Sequence, residues 1–136
     1  MPKVEDIMTR NVMTVAPNTP VDDLAWGLTQ KGVSGAPVQD AGGHLLGLVT
    51  KSDLADPNRP NKLHAATVED VMSPFVFAVN ASDSVLDAAK RMVDTGSHRL
   101  VVVDSSGHLA GIVSTMDVVR ALVAGTRVGM DERELG

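Results

Sequence analysis

Val21, Leu24, Ala25 and Leu28 fall at the i, i+3, i+4, i+7 spacing of a helix with one apolar face, and Val85, Ala88, Ala89 and Met92 repeat that stripe. Other stretches alternate and are rich in β-branched residues, which predicts strands over "NVMTVA" (11–16), "APVQD" (36–40) and "LLGLVT" (45–50). "FVFAVN" (75–80), "RLVVVD" (99–104) and "LAGIVS" (109–114) match them in turn. Gly32 and Gly96 stand where helices end, and "AGG" and "SSG" supply hairpin turns. The pattern expects Asn18 or Thr19 to cap the first helix, with Pro20 at its first position, and Ser82 or Ser84 to cap the second. A helical turn opens each series at Glu5–Met8 and Glu69–Met72, and a final helix follows Thr50 or Ser114.

These two series are one pattern written twice. An offset of 64 places "VEDIM" at Val4 on "VEDVM" at Val68, Gly32 on Gly96, "GHL" at Gly43 on "GHL" at Gly107, and Asp53 on Asp117, without a gap. Each copy reads β-α-β-β-α, an α/β (α+β) unit. The expected organisation is repeat 1 at 1–54, a linker at 55–67, repeat 2 at 68–124 and a polar tail at 125–136. One copy alone leaves a sheet face uncovered, so the two sheets are expected to pack together into one core.

Composition narrows the function. No cysteine is present, which removes disulfides, thiolate metal sites and a cysteine nucleophile. A net charge of -5 and only three aromatic residues argue against nucleic-acid binding, which needs cations and stacking surfaces. No apolar run approaches the ~20 residues of a membrane span, and no N-terminal signal pattern is evident, so a cytoplasmic location is expected.

The repeated stretch "GLVTKSD" (47–53) and "GIVSTMD" (111–117) carries the candidate chemistry. Thr50 with Asp53, and Ser114 with Asp117, fit a helix-capping box, which is a structural role. The same geometry offers backbone donors for phosphate and a carboxylate able to take both hydroxyls of a ribose. With "VSGAPVQD" (33–40), "SHRLVVVD" (97–104) and "GIVSTMDVVRALV" (111–123), these motifs resemble paired cystathionine-β-synthase (CBS) domains, the Bateman module. The resemblance spans about Val4 to Ala124 and is greatest to the second CBS pair in the γ subunit of AMP-activated protein kinase.

The resemblance implies two repeats related by a pseudo-twofold, two clefts between them, an adenosine nucleotide (AMP, ADP or ATP, with NAD and S-adenosylmethionine as alternatives) as ligand, and an unidentified protein partner under regulation. It implies one cleft with Thr50, Ser52 and Asp53, faced by Val76, Ala78, Ser97, His98 and Arg99. The other would hold Ser114, Thr115 and Asp117, faced by Asn11, Met13, Val33, Ser34 and Gly35. Aspartates would take ribose and aliphatic residues would sandwich adenine. His98 and Arg99, with Lys51 as a further cation, would meet phosphate. Two departures stand out. Ser34-Gly35 replaces the His98-Arg99 pair in the first copy, and Met116 replaces the hydroxyl of Ser52 in the second.

No nucleophile–base pair, metal-ligand cluster or Walker lysine is found, so no catalytic or metal residue is expected and no cofactor is required. A rival reading is a ligand-free structural or dimerisation module in which the motif is only a helix cap. His44 and His108 are expected to be exposed turn residues, and Met13, Met72, Met92 and Met116 core filling. Trp26, Leu86 and Val93 share a flank beside the core stripes, which predicts a homodimer.

Overall fold

The computed structural model describes residues 2–55, 66–74 and 76–125. Most of the expected linker, with His64, and nearly all of the expected tail lie outside them, as does Phe75. Eleven elements follow in order: α1 (Val4–Ile7), α2 (Val21–Lys31), β1 (Gly35–Gln39), β2 (Leu45–Thr50), α3 (Lys51–Ala55), α4 (Val68–Val71), β3 (Ala78–Asn80), α5 (Val85–Thr95), β4 (Arg99–Val103), β5 (Leu109–Ser114) and α6 (Thr115–Val123).

The described residues gather into two compact units. The first comprises residues 12–55, 66–74 and 76, and the second residues 2–11 and 77–125. The opening turn of each sequence copy therefore belongs to the body of the other copy. We call residues 2–11 and 66–74 the straps. In the second unit the strap seats Val4, fully buried, among Val79, Ala88, Met92, Leu100, Val102 and Val113. The first unit seats Val68 in the same way, among Val15, Leu24, Leu28, Ala36, Val38 and Val49.

Backbone bonds hold each strap at two places. At one end the Val85 N–H donates to the Pro2 carbonyl (3.1 Å), and its twin Val21 donates to Ala66 (3.0 Å). At the other, Thr9 and Ile112 exchange bonds of 2.8 and 3.0 Å, and Ser73 and Leu48 bonds of 2.8 and 2.9 Å. The glycine that opens the repeated motif makes this second bridge fit. A Cβ built on Gly111 would strike the Thr9 carbonyl oxygen and lie 3.1 Å from the Met8 sulfur. One on Gly47 would strike the Ser73 carbonyl oxygen and lie 3.1 Å from the Met72 sulfur.

Sheet order in the second unit is β3-β4-β5, with β3 parallel and β5 antiparallel to β4. The first unit keeps only the antiparallel pair β1-β2. The strand expected over residues 11–16 shrinks to a single parallel bridge, Val15 to Val38. Prolines are the reason. In the second unit the Val101 N–H donates to Phe77 (3.1 Å) and the Ala81 N–H to Val103 (2.9 Å). The offset puts Pro37 and Pro17 at those donor positions, and proline has no N–H to give. A side chain compensates: Gln39 Nε2 donates to Thr14 Oγ1 at 3.0 Å.

The helix ends agree with the pattern in part. Gly32 and Gly96 adopt φ of 67° and 69°, the left-handed conformation that closes a helix. Ser84 caps α5, accepting the Asp87 N–H at 3.0 Å. Neither Asn18 nor Thr19 caps α2; Pro20 occupies the cap position, and the strap carbonyl of Ala66 takes the first helical donor. Two expected core residues face outward. Ala25 is exposed because Leu24 and Leu28 alone fill that face of α2, and Met116 is 53% exposed because it sits on the outer face of α6.

Candidate functional site

In both units the second strand of the hairpin runs straight into a helix, and the repeated motif is the junction. The hydroxyl residue ends the strand and the aspartate lies three residues on, in the first helical turn. In the first unit Asp53 Oδ2 accepts the Thr50 N–H at 2.8 Å and the Thr50 hydroxyl at 3.1 Å. The second unit repeats this: Asp117 Oδ2 accepts the Ser114 N–H at 2.8 Å, and Ser114 Oγ accepts the Asp117 N–H at 3.1 Å. The capping role read from the spacing is thus present, and it occupies the same oxygen of each carboxylate.

Each junction also touches the residue that precedes its hairpin. The Lys51 N–H donates to the Ser34 carbonyl (2.8 Å) and the Thr115 N–H to the His98 carbonyl (2.9 Å). Gly35 pairs with Thr50, and Arg99 with Ser114, in the two ladders. Gly35 is needed there, since a Cβ would strike the Val49 carbonyl oxygen. So Ser34, Gly35, Thr50, Lys51, Ser52 and Asp53 form one cluster. Ser97, His98, Arg99, Ser114, Thr115 and Asp117 form the other. Both expected site sets draw on the two units: Met13, Val33 and Val76 belong to the first, Asn11 and Ala78 to the second.

The clusters differ in charge. The first has Lys51, exposed beside its motif; the second has His98 and Arg99, both exposed. Reading the motif alone missed Arg120, whose Nη1 lies 3.6 Å from Asp117 Oδ1. Its i+3 spacing from the aspartate was the available signal. Asp117 is only 10% exposed at its side chain while Arg120 is 74% exposed, so the pair is anchored from the carboxylate side.

A groove of about 420 Å3 runs beside this second cluster, between α5 and α6, with His98, Ser97 and Thr115 at one end and Met92, Val93, Val118 and Val119 along it. A second hollow, of about 480 Å3, lies between β3 and α5 and is lined by charged residues including Asp87, Lys90, Arg91 and Asp94. Arg91 lies over the Phe77 ring at 6.0 Å. Among the described residues no group of three His, Cys, Asp or Glu side chains is placed to hold a metal ion, and no helix is long and apolar enough to cross a membrane.

Two units built on one plan, each with a capped strand-to-helix junction beside its hairpin, make a tandem-repeat module. The chain belongs to the CBS-domain family: the CBS domain model matches residues 4–56 and again residues 68–124. CBS pairs of this kind are regulatory and non-catalytic modules.

The chain is similar to the chloroplastic CBS domain-containing protein CBSX2 of Arabidopsis thaliana, 33% identical across 87% of this chain and 62% of that protein. The crystal structure of CBSX2 in complex with AMP matches with a TM-score of 0.82 and 38% identity, over 93% of this chain and all of that one. The CBS pair of protein MJ0100, solved with 5'-methylthioadenosine and S-adenosyl-L-methionine, matches with a TM-score of 0.78 and 25% identity, over 93% of this chain and 99% of that one. An inosine-5'-monophosphate dehydrogenase of Thermoplasma acidophilum is 30% identical over 85% of this chain, which spans only 22% of that enzyme.

Proposed function

We propose that the chain is an adenosine-nucleotide sensor that biases the behaviour of a protein partner. The observation that carries this reading is the doubled junction, a hydroxyl and a carboxylate in one helical turn, with His98 and Arg99 beside one copy and Lys51 beside the other. The AMP complex of CBSX2 and the S-adenosyl-L-methionine complex of MJ0100 support an adenosine-bearing ligand. The motif likeness to the second CBS pair of the kinase γ subunit, carried by "SHRLVVVD", favours a phosphorylated one. In this reading Asp53 and Asp117 take ribose. Met13, Val33, Val76 and Ala78 flank the base, and Arg99 with His98 meets phosphate. The remaining contacts come from Asn11, Ser34, Thr50, Ser52, Ser97, Ser114 and Thr115.

A thermal-shift series with adenosine, AMP, ADP, ATP, NAD and S-adenosylmethionine tests it. A ligand at a hundred times its Kd stabilises by about 2.7 kcal/mol, a rise of several degrees in Tm for a chain of this size. No shift with any of them at millimolar concentration leaves the motif as a helix cap and removes the sensor reading. The protein is further proposed to act as a homodimer, since Trp26 is 68% and Val93 82% exposed.

A further inference from the structure

Each strap lays a thioether against the glycine of the repeated motif. The Met8 sulfur lies 3.1 Å from the place where a Cβ would stand on Gly111, and the Met72 sulfur lies 3.1 Å from that place on Gly47. Both side chains also pack against their unit's core, Met8 beside the cluster that holds Val4 and Met72 beside the one that holds Val68. Both are half-buried, so a small molecule reaches them from solvent. The next residue in each strap, Thr9 or Ser73, makes the backbone bridge to Ile112 or Leu48. The offset of 64 singles this pair out. Of the seven methionines in the chain, only these two stand on each other; Met13 stands on Phe77, Met92 on Leu28 and Met116 on Ser52. The chain has no cysteine, so methionine is its only sulfur.

We propose that Met8 and Met72 are paired oxidation sites through which hydrogen peroxide unlatches the two straps. The sulfur lone pair attacks one peroxide oxygen. The O–O bond breaks as the S–O bond forms, and the departing oxygen takes the proton of the transferred one and leaves as water. Sulfur is oxidised by two electrons and peroxide is reduced by two. The product is a polar sulfoxide, which sulfoxide reductases return to the thioether. The glycine side, too tight for a Cβ, has no room for the new oxygen, and the core side is apolar, where an unpaired acceptor is costly. The sulfoxide therefore turns to water, draws its side chain off the core and loosens the bridge that the next residue makes.

Peroxide time courses on the wild type test this, read by peptide mass spectrometry, amide hydrogen exchange and thermal melts. Met116, 53% exposed, is expected to oxidise early and leave the melt unchanged, and Met92, 5% exposed, to resist. Oxidation of Met8 and Met72 is expected to lower protection of the Thr9, Ile112, Leu48 and Ser73 amides by about tenfold or more, and Tm by roughly 5 °C. Sulfoxide reductases are expected to restore both. A Met8→Leu, Met72→Leu variant keeps the volume and removes the sulfur; its melt and its strap amides are expected to ignore peroxide. Full oxidation of Met8 and Met72 with the strap amides still protected overturns the inference. So does oxidation of the pair no faster than that of Met92, or an equal fall in Tm in the leucine variant. If leucine is not accommodated, the wild-type time course decides alone, because site occupancy and amide protection are read on the same sample.

Discussion

Replacing Gly111 with alanine separates a structural from a ligand-binding role for the motif glycine. The added Cβ meets the Thr9 carbonyl oxygen, a backbone atom that moves only if the strap moves, and the Met8 sulfur at 3.1 Å. Relief by shifting the strap breaks the Thr9–Ile112 pair of hydrogen bonds, at 2.8 and 3.0 Å. Two such bonds contribute about 1 kcal/mol each, and overpacking without relief costs about 1–3 kcal/mol. The two routes together bracket a loss of about 1–3 kcal/mol, or roughly 4–12 °C in Tm for a chain of this size. Gly47→Ala meets Ser73 and Met72 in the same way and is expected to cost a similar amount. Circular-dichroism melts and urea titrations of both variants measure it, with no ligand present. A Tm within ~2–3 °C of the wild type in both variants refutes the strap bridge as the reason for glycine.

Four further outcomes are expected. Ser84→Ala loses the α5 cap and about 1 kcal/mol, whereas Thr19→Ala changes stability little because no side chain caps α2; paired urea titrations compare them. The Asp40 carboxyl titrates below the ordinary aspartate value, chiefly because it accepts the His44 N–H and also the Gly42 N–H. A lowered folded pKa gives stability that is present above the unfolded value and lost as pH falls through the folded one. The Tm gap between wild type and Asp40→Asn is therefore expected to narrow below about pH 4, and a gap that widens there refutes the assignment. Arg99→Ala is expected to weaken AMP roughly tenfold to a hundredfold while sparing adenosine, by calorimetry; equal losses for both would make Arg99 a support of the fold. Light scattering is expected to show a dimer that Trp26→Glu converts to monomer, and a monomeric wild type ends that proposal.

Much of the fold was legible because repetition checks itself. Gly32 and Gly96 end twin helices, and Leu24, Leu28, Val85, Ala88 and Met92 are buried as their spacing required. The loss of the first strand was legible too, in Pro17 and Pro37 standing where the second copy has Ala81 and Val101, but only to a reading that compared donors as well as hydrophobicity. The strap exchange was not. "VEDIM" and "VEDVM" are nearly the same sequence, so nothing local says which body each Val joins. The same long-range contact explains the failed cap: Thr19 was a sound local candidate until the Ala66 carbonyl took the donor. At the site, spacing led to Thr50–Asp53 and Ser114–Asp117. Arg120 was overlooked because its partner is a carboxylate that the motif had already assigned to ribose.

The strap exchange has a consequence for how the chain is made. A ribosome emits the first strap before anything it can sit on exists. The body at residues 12–55 emerges next and finds its own strap only when residues 66–74 follow. That unit is then complete, while residues 2–11 still wait for Ile112 and Val113, more than a quarter of the chain later. At about 5–20 residues per second the delay lasts seconds, far longer than a β-hairpin needs to form. During that time the leading Val4 strap competes for the first body with the Val68 strap that follows it. The near identity of the two segments makes that body the place where a misplaced strap would be trapped.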